Sequence, residues 1–308
     1  MKSKNILYLV LVLVLVFVIF YYFNGLLNND EVGMTEHSHG GGDSPEHIHG
    51  IFSVGSYTLY VATHNGLFRF EDESHFDKVG ESVDDYMSFL VHPKNSSIMY
   101  ASGHSNDEHE SEEDYANLNV LKSVDGGETW QEISEGVNGP VDFHSMGISS
   151  ANPEILYGWF SGMQRSLDGG YSWEIVENNL YEVLVFDSHP ADENVVYAAT
   201  VNGLMVSKNK GDTWEFLSED LKQTPVISLS VNSENPDIML LNSKKFGLSK
   251  SIDAGKTWQK IEENFEGELV TYIVFDKDDP DTVYATTREN TIYKSSNQGE
   301  DWTKIYSS

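Results

Sequence analysis

Apolar residues in this chain fall in short runs bounded by Gly, Pro, Asn and Asp, and the runs recur in the same order. The clearest unit has Val183 to Phe186, a turn through Asp187, His189 and Pro190, then Val195 to Thr200. After Asn202 and Gly203 come Leu204 to Val206, and Trp214 to Leu217 closes the unit. Runs of this length and composition between turn residues predict β-strands, four to a unit. The same grammar returns at Phe89 to Tyr100, Met146 to Tyr157, Ile227 to Leu240 and Ile273 to Tyr284. Each has a proline turn, at Pro93, Pro153, Pro190, Pro236 or Pro280. One further unit precedes them: His49 to Phe52, Leu59 to Ala62 and Asn65 to Arg69. Six four-stranded units in succession predict an all-β, six-bladed β-propeller, a closed ring with short edges.

An octet fixes the period. Ser123, Asp125, Gly127 and Trp130 recur as Ser166, Asp168, Gly170 and Trp173, then as Ser207, Asn209, Gly211 and Trp214. Ser251, Asp253, Gly255, Trp258 and Ser295, Asn297, Gly299, Trp302 complete the set. The tryptophans are 43, 41, 44 and 44 residues apart. Glycine supplies positive φ in a tight turn. Asp or Asn accepts hydrogen bonds from turn N–H groups, so acid and amide interchange. Tryptophan begins the next strand and contributes one large apolar anchor. The first unit keeps only Asp72 and Phe76 of a decayed copy.

The octet resembles the Asp-box, or BNR repeat, of sialidases, sortilin-type receptors, xyloglucan-cleaving propellers and photosystem assembly factors. The resemblance spans about residues 47–308 and is nearest to small bacterial glycosyl-hydrolase-like propellers. It implies boxes on a blade rim away from the ligand face. It also implies either a binding or assembly module for an extracytoplasmic protein, peptide or glycan, or a glycoside hydrolase acting on an extracellular polysaccharide.

Charge and composition narrow the partners. The formal charge of −30 repels nucleic acid. There is no cysteine, hence no disulfide and no thiolate metal site. Lys2 and Lys4 precede an uncharged stretch from Ile6 to Phe23, which ends in Tyr21, Tyr22 and Phe23 without an A-x-A-like cleavage site. A spanning helix needs ~20 apolar residues. The expectation is a cytoplasmic stub (1–5), a transmembrane signal anchor (6–24), a linker rich in Gly and His (25–46) and an extracytoplasmic propeller (47–308). Secretion after signal cleavage is the alternative. Residues 101–119 carry an acidic insertion, expected as a loop.

Candidate chemistry is sparse. A sialidase needs three arginines converging on a carboxylate. Of Arg69, Arg165 and Arg288, the first two sit just before a box serine or its equivalent, where Lys122, Lys250 and Lys294 stand in other units. A basic residue repeated at one position of successive blades is spread around the ring, which excludes a sialidase. Glycoside hydrolysis of another kind needs two facing carboxylates. Asp142 is the candidate acid or base, with Asp84 and Asp85 next. His47 and His49 share one face of a first strand, His64 follows the second strand, and His144 is placed on the first strand of the third unit. Together these four are candidate ligands for a divalent Zn, Cu or Ni ion, the one cofactor the sequence suggests. His37, His39, His104 and His109 form a second, loose surface set.

Overall fold

In the computed structural model the described residues are 44–45, 47–55, 57–71, 75–105, 117–177, 179–262 and 265–307. The anchor reading, Asp72, and His37, His39 and His109 lie outside them. Among the described residues no helix is long and apolar enough to cross a membrane.

The strands form six sheets of four consecutive antiparallel strands. The first comprises β1 (Ile48–Gly55), β2 (Thr58–Thr63), β3 (Gly66–Phe70) and β4 (Phe76–Val79). The second comprises β5 (Asp85–Val91), β6 (Met99–His104), β7 (Val120–Ser123) and β8 (Gln131–Ser134). The third has β9 (Ser145–Ile148), β10 (Leu156–Trp159), β11 (Met163–Ser166) and β12 (Glu174–Ile175). The fourth has β13 (Val183–Ser188), β14 (Val196–Thr200), β15 (Gly203–Ser207) and β16 (Glu215–Phe216). β17 (Val226–Val231), β18 (Met239–Ser243), β19 (Gly247–Ser251) and β20 (Gln259–Lys260) make the fifth. β21 (Val270–Phe275), β22 (Val283–Thr287), β23 (Ile292–Ser295) and β24 (Thr303–Tyr306) make the sixth. Each first strand touches the first strands of both neighbours, and β21 touches β1, so the first strands ring a central channel. This is the six-bladed propeller that the pattern predicts.

The apolar runs are continuous because each blade is buried on both faces. Along β14, Val196 and Ala198 join the core shared with the third blade, while Tyr197 and Ala199 join the core shared with the fifth. On β18, Leu240 faces the sixth blade while Met239 and Leu241 face the fourth. Six such inter-blade cores make up the interior. Among the described residues the last sheet is built from β21 to β24 alone. The seam between blades six and one closes through a shared apolar core, and through Ser53 Oγ donating to Asp276 Oδ2 at 2.6 Å.

The boxes are hairpin fasteners. In the second blade Gly127 N donates to Ser123 Oγ (2.9 Å), and Ser123 Oγ donates to Asp125 Oδ1 (2.7 Å). Asp125 in turn accepts from Thr129 N (3.0 Å) and Thr129 Oγ1 (2.6 Å). The box glycines 127, 170, 211, 255 and 299 all have φ between +80° and +96°. The indole N–H of Trp173, Trp214, Trp258 and Trp302 donates to the carbonyl of the box glycine at 2.8 to 3.2 Å. Each tryptophan directly precedes its strand rather than starting it. In the first blade, Phe70 pairs with Leu59 on the rung where the other five blades place the box serine.

Candidate functional site at the hub end of the ring

One ladder rung recurs in all six blades: Ser53↔Leu59, Val91↔Met99, Ile148↔Leu156, Ser188↔Val196, Val231↔Met239 and Phe275↔Val283. The box serines pair on this rung, so the boxes lie at that end of the sheets. At the opposite end, where first strands begin and second strands finish, a buried apolar residue recurs: Ile48, Tyr86, Phe143, Val183, Val226 and Val270. One position further out the blades diverge. The residue just before each of these is His47, Asp85, Asp142, Glu182, Pro225 or Leu269. The residue just after is His49, Met87, His144, Leu184, Ile227 or Thr271. At the matching end of the second strand stand His64, His104, Ser161, Val201, Lys244 and Arg288. Imidazoles at these positions are thus gathered on blades one to three, with Asp85 and Asp142 beside them.

They meet there. Asp85 opens β5 with its side chain 1% exposed. His49 Nε2 lies 3.4 Å from its Oδ1, and His64 Nδ1 contacts its Oδ2. His104 Nε2 lies 3.3 Å from Asp85 Oδ2, and Nδ1 of the same ring lies 3.3 Å from Asp142 Oδ2. His144 Nε2 reaches Asp142 Oδ2 at 3.0 Å. The exposed His47 packs edge-on against His64 at 4.9 Å between ring centres, and His49 does so at 4.4 Å. Gly103 makes room for this: a Cβ there would stand 1.9 Å from the Asp85 carbonyl oxygen. The chain leaves β6 at this same end to enter the insertion.

Burial and the carboxylates set the charges. Burial lowers the His49 pKa to about 4, against the pull of Asp85, and so keeps this ring neutral at pH 7. The Asp142 and Asp85 carboxylates raise His104 to about 10. Burial pushes Asp85 and Asp142 upward. The close imidazoles, His104 and His64 at Asp85 and His104 and His144 at Asp142, outweigh it, and both carboxyls lie below their ordinary range. Asp142 is therefore ionised at neutral pH, whereas a general acid needs its proton retained.

Several sequence-derived placements change. His144 precedes β9 rather than lying on it. His104 is not part of a loose surface set: it ends β6 and joins Asp85 to Asp142. Asp85 lies within β5, because that strand begins four residues before the apolar run at Phe89. The order Asp85-Tyr86-Met87-Ser88 carries polar atoms on a channel-lining strand, and an apolar-run criterion passes over it. The arginines do not converge. Arg69 pairs with Glu71 at 3.0 Å, and Arg165 with Glu174 at 2.6 Å and Asp212 at 2.8 Å. The basic residues before the box serines reach the next blade's box: Lys122 lies over Tyr171, and Lys250 lies 3.5 Å from Glu300.

Ring, period and fastener geometry together decide the class. The chain is a six-bladed β-propeller whose hairpin fasteners resemble the Asp-box. The family model for sortilin (neurotensin receptor 3) matches residues 247–308, which contain the last two boxes. Among solved structures, a GH74 enzyme from Niastella koreensis superposes with a TM-score of 0.57 at 15% identity, over 84% of this chain and 54% of that one. The GH74 xyloglucanase from Xanthomonas campestris gives 0.59 at 15% identity, over 84% of this chain and 45% of that one. A structure of YCF48 bound to D1 peptide gives 0.43 at 12% identity, over 74% and 86% of the two chains. The chain spans about half the length of the GH74 chains it matches. At these identities the likeness is one of fold. No curated protein sequence matches the chain.

Proposed function

We propose that this propeller is a membrane-tethered, extracytoplasmic binding module whose ligand face is the channel end opposite the boxes, over blades one to three. The observation that carries the reading is the contrast between ends. Five blades repeat the same fastener at one end, while at the other the equivalent positions of three adjacent blades hold His and Asp side chains that touch across blade boundaries. Repeat proteins keep architecture where the repeats agree and place recognition where they differ. The ligand class is an extracytoplasmic protein, peptide or glycan, as the sortilin match suggests by analogy.

Hydrolysis of a polysaccharide stands second, supported by likeness to GH74 enzymes in fold alone. Asp142 would serve there as a base, since its imidazole partners keep it ionised.

The test is site-specific photo-cross-linking in the full-length protein in its own membrane. A photoreactive side chain replaces Val201, which is 39% exposed at the hub end, or Ile252, which is 74% exposed at a box. Adducts with a discrete envelope component from Val201 and not from Ile252 are expected. Equal labelling from both positions, or labelling from Ile252 alone, overturns the proposal.

A further inference from the structure

We propose that the hub-end cluster binds a divalent transition-metal ion of the Zn(II), Ni(II) or Cu(II) type through His49, His64 and Asp85. The inference deepens the ligand-face reading above and rests on it for the choice of end.

Geometry supports it first. One ligand atom from each of the three residues lies within 4.8 Å of the other two. The 3.4 Å between His49 Nε2 and Asp85 Oδ1 is close to the ligand–ligand edge of about 3.3 Å that a tetrahedral site with bonds of ~2.0–2.1 Å requires. Polar bookkeeping supports it second. His49 Nε2 and both Asp85 oxygens are buried, and none makes a well-directed hydrogen bond among the described residues. Buried polar atoms in that state are costly, and a cation between them satisfies all three.

The fold does not require the arrangement. Blades four, five and six place Glu182, Pro225 and Leu269 at the position of Asp85, and their sheets pair in the same register. A buried carboxylate here is an expense that architecture does not explain. Behind Asp85, His104 links it to Asp142, and Asp142 also takes His144. A hydrogen-bonded outer layer of this kind is what orients the ligands of a metal centre. Two imidazoles and one carboxylate suit borderline ions, whereas Ca(II) and Mg(II) want oxygen donors throughout. Three protein ligands leave a coordination position for a donor from outside. His64, with 43% of its side chain exposed, marks the solvent side. The chain's net charge of −30 gathers cations around this mouth.

The experiment uses full-length protein, purified without a metal-affinity step and carrying His37→Ala, His39→Ala and His109→Ala, so that binding reports the hub end. It is titrated calorimetrically with ZnCl2, NiCl2 and CuCl2, with CaCl2 and MgCl2 as controls, and retained metal is counted after gel filtration. One transition-metal ion per chain is expected. His64→Ala and Asp85→Asn should each weaken binding on the order of 100-fold or more, and Asp142→Asn about 10- to 100-fold, as outer-layer partners do. His64 is half exposed, so its alanine variant keeps the fold and isolates the ligand. No retention above the CaCl2 control, or retention unchanged in both His64→Ala and Asp85→Asn, overturns the proposal. That result leaves hub-end cross-links at Val201 standing. Metal retained without such cross-links keeps the ion and removes the ligand-face reading.

Discussion

The two ends of this ring obey different rules. At the boxed end, five blades solve one problem in one way: a serine and an acid or amide tie down a turn whose glycine has positive φ, and in four of the five an indole caps that glycine's carbonyl. Even the basic residues before the boxes obey the repeat. Lys122, Arg165 and Lys250 each reach the sixth residue of the next box, Tyr171, Asp212 or Glu300. Where that sixth residue is Lys256, the preceding blade carries Val206 in place of a base. At the hub end, the buried apolar residue is still shared by all blades, but its neighbours range from Pro225 and Leu269 to Asp85 and His104. A ring needs six fasteners but not six identical mouths, so chemistry is free to accumulate where closure does not depend on it.

The comparison breaks most sharply at Gly103. An alanine Cβ there meets the Asp85 carbonyl oxygen at 1.9 Å, and a backbone atom has no rotamer by which to escape. Gly103→Ala should cost about 3 kcal/mol, the upper part of the range for overpacking. The equivalent insult at the boxed end, Gly211→Ala, meets the methyl end of Met163, which can move. It should cost less in spite of the φ of +96°. Urea unfolding of both variants checks this. Equal losses would mean that the hub end is no more tightly built than the fasteners.

Next in size is the seam. Asp276 is buried, accepts from Ser53 Oγ across the junction at 2.6 Å, and takes the N–H groups of Asp278 and Asp279, each at 3.0 Å. Asp276→Ala strands those donors and should cost about 2 kcal/mol. Of the six junctions this one joins blades that are not consecutive in the sequence, so hydrogen exchange should rise first in β1 and β21. Uniform loosening of all six blades would show that the seam is no weaker than the other interfaces.

How much was legible beforehand follows the same division. Fold, blade number and rim fasteners were readable because they repeat: each blade is an independent report of the same constraint, and Phe70 in place of one serine does not erase the other five. The site was half readable. His49 and His64 stood out by residue type next to strands. Asp85 was named only as a carboxylate ranked after Asp142 for hydrolysis and not as a ligand, since acids are abundant in this chain and nothing local distinguishes a buried one. Its burial depends on Gly103 and on contacts with the adjacent blades. His104 looked like the root of a charged loop, because the partners that hold it, Asp85 and Asp142, come from two different blades.

The smallest expected effect sharpens the comparison within the boxed end itself. Asp125 and Asp253 have pKa values lowered to about 2, chiefly by hydrogen bonds from Thr129 and Thr257. Asn209 and Asn297 do the same work without a titrating group. Asn209 Oδ1 accepts from Thr213 N at 3.0 Å, and Asn297 Oδ1 from Asp301 N at 2.9 Å. A carboxyl whose folded pKa lies below its unfolded value binds fewer protons when folded. Its contribution is therefore complete above the unfolded pKa of ~3.9 and is lost as pH falls through the folded one. The Asp125→Asn, Asp253→Asn double variant should accordingly unfold with a flatter acid limb between about pH 4 and pH 2, and match the parent chain in shape above pH 5. Asn209→Asp should steepen the same limb. If thermal melts across that range respond to neither change, the box acids are held by turn geometry alone and their charge is incidental to the fastener.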